Sequence, residues 1–469
     1  MHLVAIGGSD AGISAALRAR ELDPSVEVTV VVADAYPNFS ICGIPYYISG
    51  EVTHWHNLAH RTHADLEATG MKLRLDTWAT KIDVAGQRLL VRNPDGTEEF
   101  IAYDELVVGT GAVPVKPSID GLDTLGPADG VHLLHSMGDT FALTESLDRI
   151  QPKTALIVGA GYVGLEMAEG LTMRGVQVTQ VEMLPEVLPT VEVELGALVH
   201  EELLRHGVVV QTNSTVTRLT KTEKGIHVDG RTTDGDALGW DVDLVLVVVG
   251  VRPDTDLLVE AGALAGPRGA VVVGDDMSTG LRHVWAAGDC VITHHRLLGE
   301  TYLPLGTTAH KQGRVAGENA IGGQASYAGS LGTQVVKVFD LVAARTGLRE
   351  HEAVAAGFTP VSTTATPADH KAYYPGATPI TIRITGDAAD GRLLGAQLIG
   401  HKGAEISKRV DTYATALFHE MTVTEMTELD LAYTPPLGSP WDAVQMATQA
   451  WVKEHHINHE RANLSKELL

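Results

Sequence analysis

The sequence predicts an α/β protein with two parallel-sheet domains followed by a smaller α+β domain. Two glycine-rich loops, residues 7–12 and 159–164, each lie between a short apolar strand and a helix. A turn of this kind lets a pyrophosphate approach the backbone N–H groups at the helix N-terminus. From Gly332 onward the sequence changes to alternating, strand-like runs and then to two helical patterns. We therefore expect two Rossmann-like dinucleotide-binding domains and a C-terminal α+β domain.

Composition narrows the class of protein further. The chain has 469 residues, too many for one domain, and a formal net charge of −24. Such an acidic balance argues against nucleic acid or a membrane surface as partner, and no apolar run is long enough to span a membrane. The first strand begins at Leu3, which leaves no room for a signal peptide, and the two cysteines are far apart. A reducing, cytoplasmic environment is expected.

The first glycine-rich loop follows a predicted strand at residues 3–6 and reads G-x-S-x-x-G, with Ser9 in the middle glycine position. The second strand, residues 28–32, ends in Val32, and the nearest acid is Asp34, which we expect to bind the ribose. A loop of this type can also serve packing alone. The predicted contacts in the loop itself are Gly7, Gly8, Ser9, Ala11 and Gly12.

The second glycine-rich loop fills the G-x-G-x-x-G pattern completely. It follows a predicted strand at residues 155–158, and the next strand, residues 176–181, is followed by Glu182. An acid at this point accepts the ribose 2′-hydroxyl and would repel a 2′-phosphate, so NADH is favoured over NADPH. The predicted nucleotide contacts are Gly159, Gly161, Tyr162, Val163, Gly164, Glu166, Glu182 and Gly250.

Cys42 is the candidate redox residue. It lies in the segment NFSICGIPYY, residues 38–47, where a β-rich run gives way to a turn and a helix-compatible segment. A cysteine at the start of a helix has its thiolate favoured by the N–H groups and the dipole. The alternative is a small buried hydrophobic residue, which is our interpretation of Cys290.

The segment NFSICGIPYY resembles the SFxxCGxPYY segment of the single-cysteine branch of the FAD-dependent pyridine nucleotide-disulfide oxidoreductases. That branch contains coenzyme A disulfide reductases, persulfide reductases, NADH oxidases and NADH peroxidases. Residues 106–114, 283–289 and 303–319 resemble further segments of the family. The resemblance implies a glutathione-reductase-like fold, FAD and NADH as cofactors (NADPH being possible), and a homodimer with a shared active site.

The same resemblance implies a domain organisation. Residues 1–115 and 250–325 would form a discontinuous FAD-binding domain, and 116–249 the NAD(P)H-binding domain. Residues 330–455 would form the interface domain, with strands at 334–338, 359–364, 379–384 and 393–399 and helices at 405–418 and 439–453. Residues 456–469 would be a polar C-terminal tail. Beyond the first loop, the implied FAD contacts are Asn38, Cys42, Ala79, Thr110, Gly111, Asp289, Leu305, Gly306 and Ala309.

The function implied is that of an NAD(P)H-dependent flavoprotein that reduces a low-molecular-weight disulfide or persulfide, of the coenzyme A type, through Cys42. The alternative is an NADH oxidase or peroxidase working through a cysteine sulfenic acid. Asp10 stands where that branch has a histidine, which counts against the alternative; Asp10 either caps the first helix or is catalytic. A flavin- and NADH-binding sensor is a third hypothesis, disfavoured by Cys42.

Further residues are expected to bind the substrate or complete the catalytic site. The segments around Tyr373, Tyr374 and Tyr433 resemble those that reach the partner subunit's cysteine in the coenzyme A enzymes; taken alone they are packed turns. Those enzymes often carry two adjacent basic residues where this chain has Arg20 and Glu21. The candidate substrate contacts are Ser14, Arg18, Arg20, Arg61 and Trp441.

Three histidines, His56, His60 and His63, have the spacing of one helical face. No cysteine or carboxylate completes a tetrahedral set nearby in sequence, so a solvated face is favoured over a metal site. No metal is expected.

Overall fold

The computed structural model describes residues 1–467, with side chains described up to residue 455. The chain forms two compact units. One contains Met1–Ser118, Leu122–Gln151 and Leu246–Ser330; the other contains Ile119–Gly121, Pro152–Val245 and Leu331–Leu469. The side chains of the predicted tail, 456–469, lie outside the described residues. In this division the segment 152–245 belongs to the same unit as the C-terminal part. The predicted domain boundaries stay predictions.

The first unit is built on a five-stranded parallel sheet. Its apolar strands alternate their side chains between the two faces. Leu3 and Ala5 pack against helices on one face, whereas Val4 and Ile6 face a second, antiparallel sheet. The strands, in spatial order, are Val284–Ala286, Glu105–Val108, His2–Ile6, Glu27–Val31 and Met71–Arg74.

Two long helices, Asp10–Leu22 and Gly306–Ala320, pack against each other at backbone distance. A Cβ atom on Gly313 would lie 2.4 Å from the Ala11 carbonyl oxygen, and one on Gly317 would lie 2.2 Å from that of Ala15. Only glycine allows such an approach. The two helices are therefore held in a fixed relation.

The remaining strands of this unit are short, and four further helices accompany them. Trp78–Asp83, Arg88–Arg92 and Glu98–Ala102 form the antiparallel sheet, and Ala112–Pro114 pairs with Val251–Pro253. Thr293–His295 pairs with Gly299–Thr301, and Val131–Leu133 is a further strand. The other helices are Ile44–Ser49, His63–Ala68, Met137–Ile150 and Asp256–Glu260, and the 3₁₀ turns are Ile41–Gly43, Trp55–Leu58, Pro127–Asp129 and Pro267–Gly269.

The second unit begins with a parallel arrangement of Thr154–Val158, Gln177–Val181 and Val209–Gln211. The helix Tyr162–Met173 follows the first of these strands, as the glycine-rich loop predicts, and Val193–Arg205 follows the second. An antiparallel meander consists of Ser214–Thr222, Gly225–Thr232 and Ala237–Val242. The chain leaves this region through Leu244–Val247.

The C-terminal part is an antiparallel sheet with helices. The spatial order of its strands is Gln334–Val338, Leu341–Gly347, Leu393–His401, Ile380–Asp387 and Pro360–Ala365. The helices are Glu350–Ala355, Ile406–Phe418, Val423–Met426 and Ala443–Glu467, with a 3₁₀ turn at Lys402–Ala404. The predicted fold class is confirmed, although the strand Leu341–Gly347 is absent from the prediction. Among the described residues, no helix is long and apolar enough to cross a membrane.

Candidate active site

The first glycine-rich loop closes tightly onto its own sheet. Gly7 has φ +108°, and a Cβ atom there would lie 2.1 Å from the Gly109 carbonyl oxygen. A Cβ on Gly12 would lie 2.2 Å from the Gly7 carbonyl oxygen. Ser9 is the N-cap of the helix Asp10–Leu22, but its side chain makes no capping hydrogen bond. The first N–H groups of that helix, Ala11 included, therefore suit a phosphate group.

The second strand, Glu27–Val31, is followed by Val32 and not by the acid that usually binds the ribose. A Cβ on Gly8 would lie 2.4 Å from Val32 Cγ1, so the valine side chain lies against the loop. Asp34 is half-buried, and its Oδ1 accepts a hydrogen bond of 2.8 Å from the Tyr36 backbone N–H. Burial raises the pKa of the Asp34 carboxyl. Its predicted ribose contact stays a prediction.

Other residues expected to contact FAD lie in the same unit. Asn38 is 1% exposed with φ 60°, and its Oδ1 has no hydrogen-bond partner among the described residues. Burial, followed by the nearby Asp10 carboxylate, raises the pKa of Asp289 to about 6. An unpartnered buried acceptor and a desolvated carboxyl both fit a hydroxylated ligand. The helix Gly306–Ala320 adds a second N-terminus, formed by Leu305, Gly306 and Ala309.

Three further predicted contacts lie in the same unit. Thr110 Oγ1 donates a hydrogen bond of 2.6 Å to the Asp254 carbonyl oxygen, and Gly111 has φ +74°. Ala79 lies on the strand Trp78–Asp83 and packs against the core below the parallel sheet. Together with the glycine cradle, these residues fit a bound FAD.

Cys42 is exposed and belongs to the 3₁₀ turn Ile41–Gly43, which leads directly into the helix Ile44–Ser49. The turn is held by the segment that follows the helix. The Ser40 N–H donates to the Leu58 carbonyl oxygen at 2.8 Å, and a Cβ on Gly43 would lie 2.7 Å from Leu58 Cδ2. The thiol is therefore on an ordered, accessible turn.

Cys290 lies in the opposite environment. It is 0% exposed within the core of the first unit, and its Sγ lies 3.4 Å from the Ala287 carbonyl oxygen. Burial raises the pKa of this thiol to about 11, so it stays protonated at neutral pH. A buried, protonated thiol is not a nucleophile, which agrees with its structural interpretation.

The second glycine-rich loop fits a dinucleotide with its acid in place. Gly159 has φ +106°, and a Cβ on Gly164 would lie 2.2 Å from the Gly159 carbonyl oxygen. Glu182 is 6% exposed; its Oε2 accepts a hydrogen bond of 2.8 Å from the Ala160 N–H, and its Oε1 accepts one of 2.9 Å from the Leu184 N–H. Each carboxylate oxygen keeps a lone pair for a ribose hydroxyl.

Three other predicted nucleotide contacts, Tyr162, Val163 and Glu166, lie on the helix that follows this loop. Tyr162 is the first residue of its helix, and its hydroxyl accepts a hydrogen bond of 3.2 Å from Thr190 Oγ1. Burial raises the pKa of Tyr162. Val163 is 41% exposed and Glu166 is half-buried on the same helix, whereas Gly250 has φ +106°.

A cavity of about 590 Å³ opens in the first unit between its two long helices and the segment around residue 61. We call it the Arg61 pocket. Ser14, Arg20 and Arg61 were predicted substrate contacts and line it, whereas Arg18 does not. Its full lining is Ser14, Leu17, Arg20, Glu21, Arg61, Thr69, His310 and Arg314.

Asp10 lies beside this pocket in a hydrogen-bonded cluster. His310 Nδ1 lies 2.8 Å from Ser14 Oγ, and His310 Nε2 lies 3.3 Å from Asp10 Oδ1. Burial raises the pKa of the Asp10 carboxyl, while His310 and His60 act in the opposite direction. His310 escaped the sequence prediction because it comes from a segment remote from Asp10.

The three histidines with helical spacing do not share a helix. His56 lies in the 3₁₀ turn Trp55–Leu58, His60 follows that turn, and His63 begins the helix His63–Ala68. His60 instead lies near His310 and Asp10, whose ligand atoms are within 4.8 Å of one another. Because Asp10 begins a helix, where the dipole favours anions, this cluster is better suited to hydrogen bonding than to a cation.

The predicted interface residues are exposed in the second unit. Tyr373 is 73% exposed, Tyr374 44%, Tyr433 45% and Trp441 52%. A hydrogen bond with Tyr433 raises the pKa of the Tyr373 phenol. Large exposed aromatic side chains of this kind are typical of contact surfaces.

Two dinucleotide-binding loops and an exposed cysteine in a 3₁₀ turn define the class of the protein, an NAD(P)H-dependent flavoprotein oxidoreductase. FAD and NAD(P)H are its cofactors. The chain belongs to the pyridine nucleotide-disulphide oxidoreductase family, which it matches over residues 1–313. Residues 333–444 match the dimerisation domain of the same family, which supports a homodimer. The predicted family, fold and enzyme class are confirmed.

Similar proteins match this chain over nearly its whole length. An NADH oxidase from Methanocaldococcus jannaschii is 30% identical over 459 residues, covering 97% of this chain and 99% of that protein. An NAD(P)H sulfur oxidoreductase (CoA-dependent) from Pyrococcus furiosus is 33% identical, covering 94% and 96%. The structure of a NAD-dependent persulfide reductase from A. fulgidus is 34% identical with a TM-score of 0.91, covering 97% of this chain and 84% of that one.

Proposed function

We propose that this protein is an NAD(P)H-dependent reductase of a low-molecular-weight disulfide or persulfide. The observation that carries the proposal is the exposed Cys42 on its ordered turn, in the same unit as the FAD-type loop. The other cysteine, Cys290, is buried and cannot complete a redox pair with it. Relatives with sulfur and persulfide activity in their names support the substrate class and make coenzyme A the first candidate thiol.

The chemistry at Cys42 is thiol–disulfide exchange. Its thiolate attacks one substrate sulfur, so that a mixed disulfide forms with Cys42, the substrate S–S bond breaks, and the second sulfur leaves as a thiolate that takes up a proton. When bound, FAD supplies the two-electron carrier between nicotinamide and sulfur. The protein's own residues position these groups: the two glycine loops fix the dinucleotides, and the 3₁₀ turn presents the thiol.

An NADH oxidase is the second candidate, favoured by the name of the Methanocaldococcus relative. In that chemistry Cys42 would cycle through a sulfenic acid. Asp10, whose carboxylate lies near His310, occupies the position where the oxidase branch has a histidine, and this counts against the oxidase. NADH consumption by the purified protein, measured anaerobically with added disulfide and aerobically without it, separates the two functions.

Exchange of each cysteine for serine tests the proposal. Cys42→Ser should lower disulfide turnover by about 10³-fold or more, because no other accessible sulfur can form the mixed disulfide. Bleaching of the flavin absorbance by NADH should persist in this variant. Cys290→Ser is the matched control; it should keep its activity and lose about 1 kcal/mol of unfolding free energy at most. Full disulfide turnover in Cys42→Ser would refute the assignment.

The finer proposal is that two subunits share each active site. In this arrangement Tyr374 and Tyr433 reach the partner subunit's cysteine, where a phenol donates a proton to the departing thiolate. Tyr374→Phe and Tyr433→Phe should each lower disulfide reduction by about 10²-fold, the usual size of a general-acid effect, without changing flavin reduction. Tyr373→Phe tests whether the neighbouring hydroxyl does this instead.

Dimerisation must be measured alongside, by sedimentation or light scattering, because these side chains are exposed in one chain. Unchanged rates in all three phenylalanine variants, in a protein that stays dimeric, would leave the tyrosines without a part in the reaction.

A further inference from the structure

The segment that follows Glu182, residues 183–192, packs against the second glycine-rich loop. Ala160 of the loop is held at both of its polar backbone groups. Its N–H donates to Glu182 Oε2 at 2.8 Å, and its carbonyl oxygen accepts from the Leu188 N–H at 2.9 Å. Leu188 is 0% exposed with φ 51°, a conformation that leucine adopts only where its surroundings impose it. The backbone of this segment therefore forms a wall of the nucleotide loop.

The same segment holds the side chain of Tyr162, the first residue of the helix that follows the loop. Thr190 Oγ1 donates a hydrogen bond of 3.2 Å to the Tyr162 hydroxyl. A dinucleotide bound at such a loop has its pyrophosphate at the first turn of the helix. The position of Thr190 therefore fixes a side chain that belongs to the nucleotide-binding turn.

Two arginines of the C-terminal part bind the backbone of this segment. Arg345 lies on the strand Leu341–Gly347 and is 8% exposed, and its Nη1 donates to the Thr190 carbonyl oxygen at 2.8 Å. Arg349 Nη1 donates to the carbonyl oxygen of Pro189. Two consecutive carbonyl groups of the segment are thus held by guanidinium groups from a distant part of the sequence.

Glu352 fixes the two guanidinium groups relative to each other. Its Oε2 accepts from Arg345 Nη2 at 2.7 Å, and its Oε1 accepts from Arg349 Nη2 at 2.9 Å. Burial acts to raise the pKa of the Glu352 carboxyl, but the two arginines outweigh it and lower the pKa to about 2. The carboxylate is therefore ionised at neutral pH and balances part of their charge. We call Arg345, Arg349 and Glu352 the arginine clamp.

Glu192, the last residue of the segment, adds two further links to the C-terminal part. Its N–H donates to Gln397 Oε1 at 2.7 Å, and its Oε1 accepts from the Glu350 N–H at 3.1 Å. The segment is thus held by the nucleotide loop near its middle and by the C-terminal part at its end. A change in the clamp can reach the nucleotide loop through these contacts.

We propose that Arg345 and Thr190 are positioning residues for NAD(P)H at the second glycine-rich loop. Arg345 holds the backbone of Thr190, and the Thr190 hydroxyl holds the Tyr162 ring. Because this wall is ordered before the nucleotide arrives, binding loses little free energy in ordering it. The inference rests on the proposed function and deepens it, since it concerns the step in which NAD(P)H reduces the flavin.

Thr190→Val tests the hydroxyl, because it removes the donor and keeps the shape of the side chain. The Kd of NAD⁺ for the oxidised holoenzyme, measured by calorimetry, should rise by about three- to tenfold, the usual effect of one hydrogen bond. The KM for NADH should rise with it, whereas kcat should stay within about twofold. Thr385→Val is the matched control; it removes a hydroxyl pair of 3.0 Å with Ser362, between two strands of the C-terminal sheet, and should keep the wild-type Kd.

Arg345→Lys tests the clamp, because a lysine keeps the charge but cannot bind a carboxylate and a carbonyl group as a fork. The Kd of NAD⁺ should rise by about tenfold. Arg409→Lys is the matched control, since Arg409 is equally buried and binds Asp442 and the Asp369 carbonyl oxygen. Both variants should lower the melting temperature, but only Arg345→Lys should change the Kd.

A double substitution shows whether Thr190 acts through Tyr162. In a Tyr162→Phe background the Thr190 hydroxyl has lost its acceptor, so Thr190→Val should change the Kd by less than about twofold. Arg349→Lys, at a more exposed position, repeats the test of the clamp through Pro189 in case Arg345→Lys does not fold.

An unchanged or lower Kd in Thr190→Val, an equal effect in the Tyr162→Phe background, or an equal rise in either control variant would overturn the inference. Each of these results would leave the reductase proposal intact. A wild-type holoenzyme that turns over no disulfide or persulfide would instead refute the proposed function. The Kd comparison would still decide the roles of Thr190 and Arg345.

Discussion

The two glycine-rich loops have nearly the same backbone but different surroundings. Gly7 and Gly159 have φ angles of +108° and +106°. A Cβ on Gly12 or on Gly164 would lie 2.2 Å from the carbonyl oxygen of the loop's first glycine. In both loops the first glycine N–H donates to the last residue of the second strand, at 2.9 Å and 2.8 Å. These glycines are thus required by the turn itself, whichever ligand it holds.

The differences lie where a ligand would make contact. Glu182 accepts the Ala160 N–H in the second loop, whereas the apolar Val32 side chain lies against Gly8 in the first. A Cβ on Gly161 would meet nothing within 4 Å, and the first loop has Ser9 at that position. The outer glycines of the motif therefore serve the fold, while the middle position and the acid serve the ligand.

The largest effect should come from adding a methyl group to the crowded glycine of each loop. Gly12→Ala forces a backbone shift, so the purified protein should lose most of its FAD and about 1–3 kcal/mol of unfolding free energy. Gly164→Ala should keep its yellow colour but raise the KM for NADH by about tenfold or more.

The two variants control each other, because the steric conflict is the same and only the ligand differs. Loss of FAD from both, or normal cofactor content and normal KM in both, would contradict the assignment of one dinucleotide to each loop. Flavin absorbance per chain and steady-state NADH kinetics provide the measurements.

A smaller effect is expected when Glu182, the acid beside the second loop, is replaced. Glu182→Ala removes the acceptor of two backbone N–H groups and of the ribose hydroxyl, so kcat/KM for NADH should fall by about tenfold. The value for NADPH should fall less, since the negative charge that opposes a 2′-phosphate is gone. Glu186→Ala, a nearby acid after the same strand, is the control; a wild-type cofactor ratio in Glu182→Ala would mean that another residue sets the preference.

The smallest effect is expected at the uncrowded middle position. Ser9→Gly should leave the unfolding free energy within about 1 kcal/mol, because the Ser9 side chain makes no capping bond. Gly161→Ser, the reverse exchange, should fold normally and raise the KM for NADH only a few-fold. A change in melting temperature of Gly161→Ser as large as that of Gly164→Ala would show that the protein, and not the ligand, needs this glycine.

The sequence was informative wherever a feature is local. Both loops, the turn containing Cys42 and the alternating strands of the C-terminal part depend on short stretches with fixed spacing, so their patterns predict them. The sequence pattern predicts the last helix of the chain at 439–453, whereas the observed helix Ala443–Glu467 starts later and continues further. Helix ends depend on capping and packing that a hydrophobic pattern does not encode.

The Arg61 pocket could not be predicted in the same way. Two helices that are about 300 residues apart in sequence, Asp10–Leu22 and Gly306–Ala320, line it together with the segment around Arg61. Only the fold brings these three segments together. Arg20 illustrates the limit: its residue type suggests an anion site, while its hydrogen bonds to the carbonyl oxygens of Pro24, Val26 and Thr69 are visible only in three dimensions. His310 likewise gains its meaning from the Asp10 and Ser14 side chains beside it.

The contact of Gly313 and Gly317 with the backbone of the neighbouring helix has a consequence for how specificity can change. Because the helices meet without intervening side chains, a new residue on the pocket side does not alter the spacing of the two walls. The polar lining can thus be exchanged one position at a time on an unchanged frame. The ligand that such a pocket accepts can therefore change through single side chains of its lining, without a change in the frame.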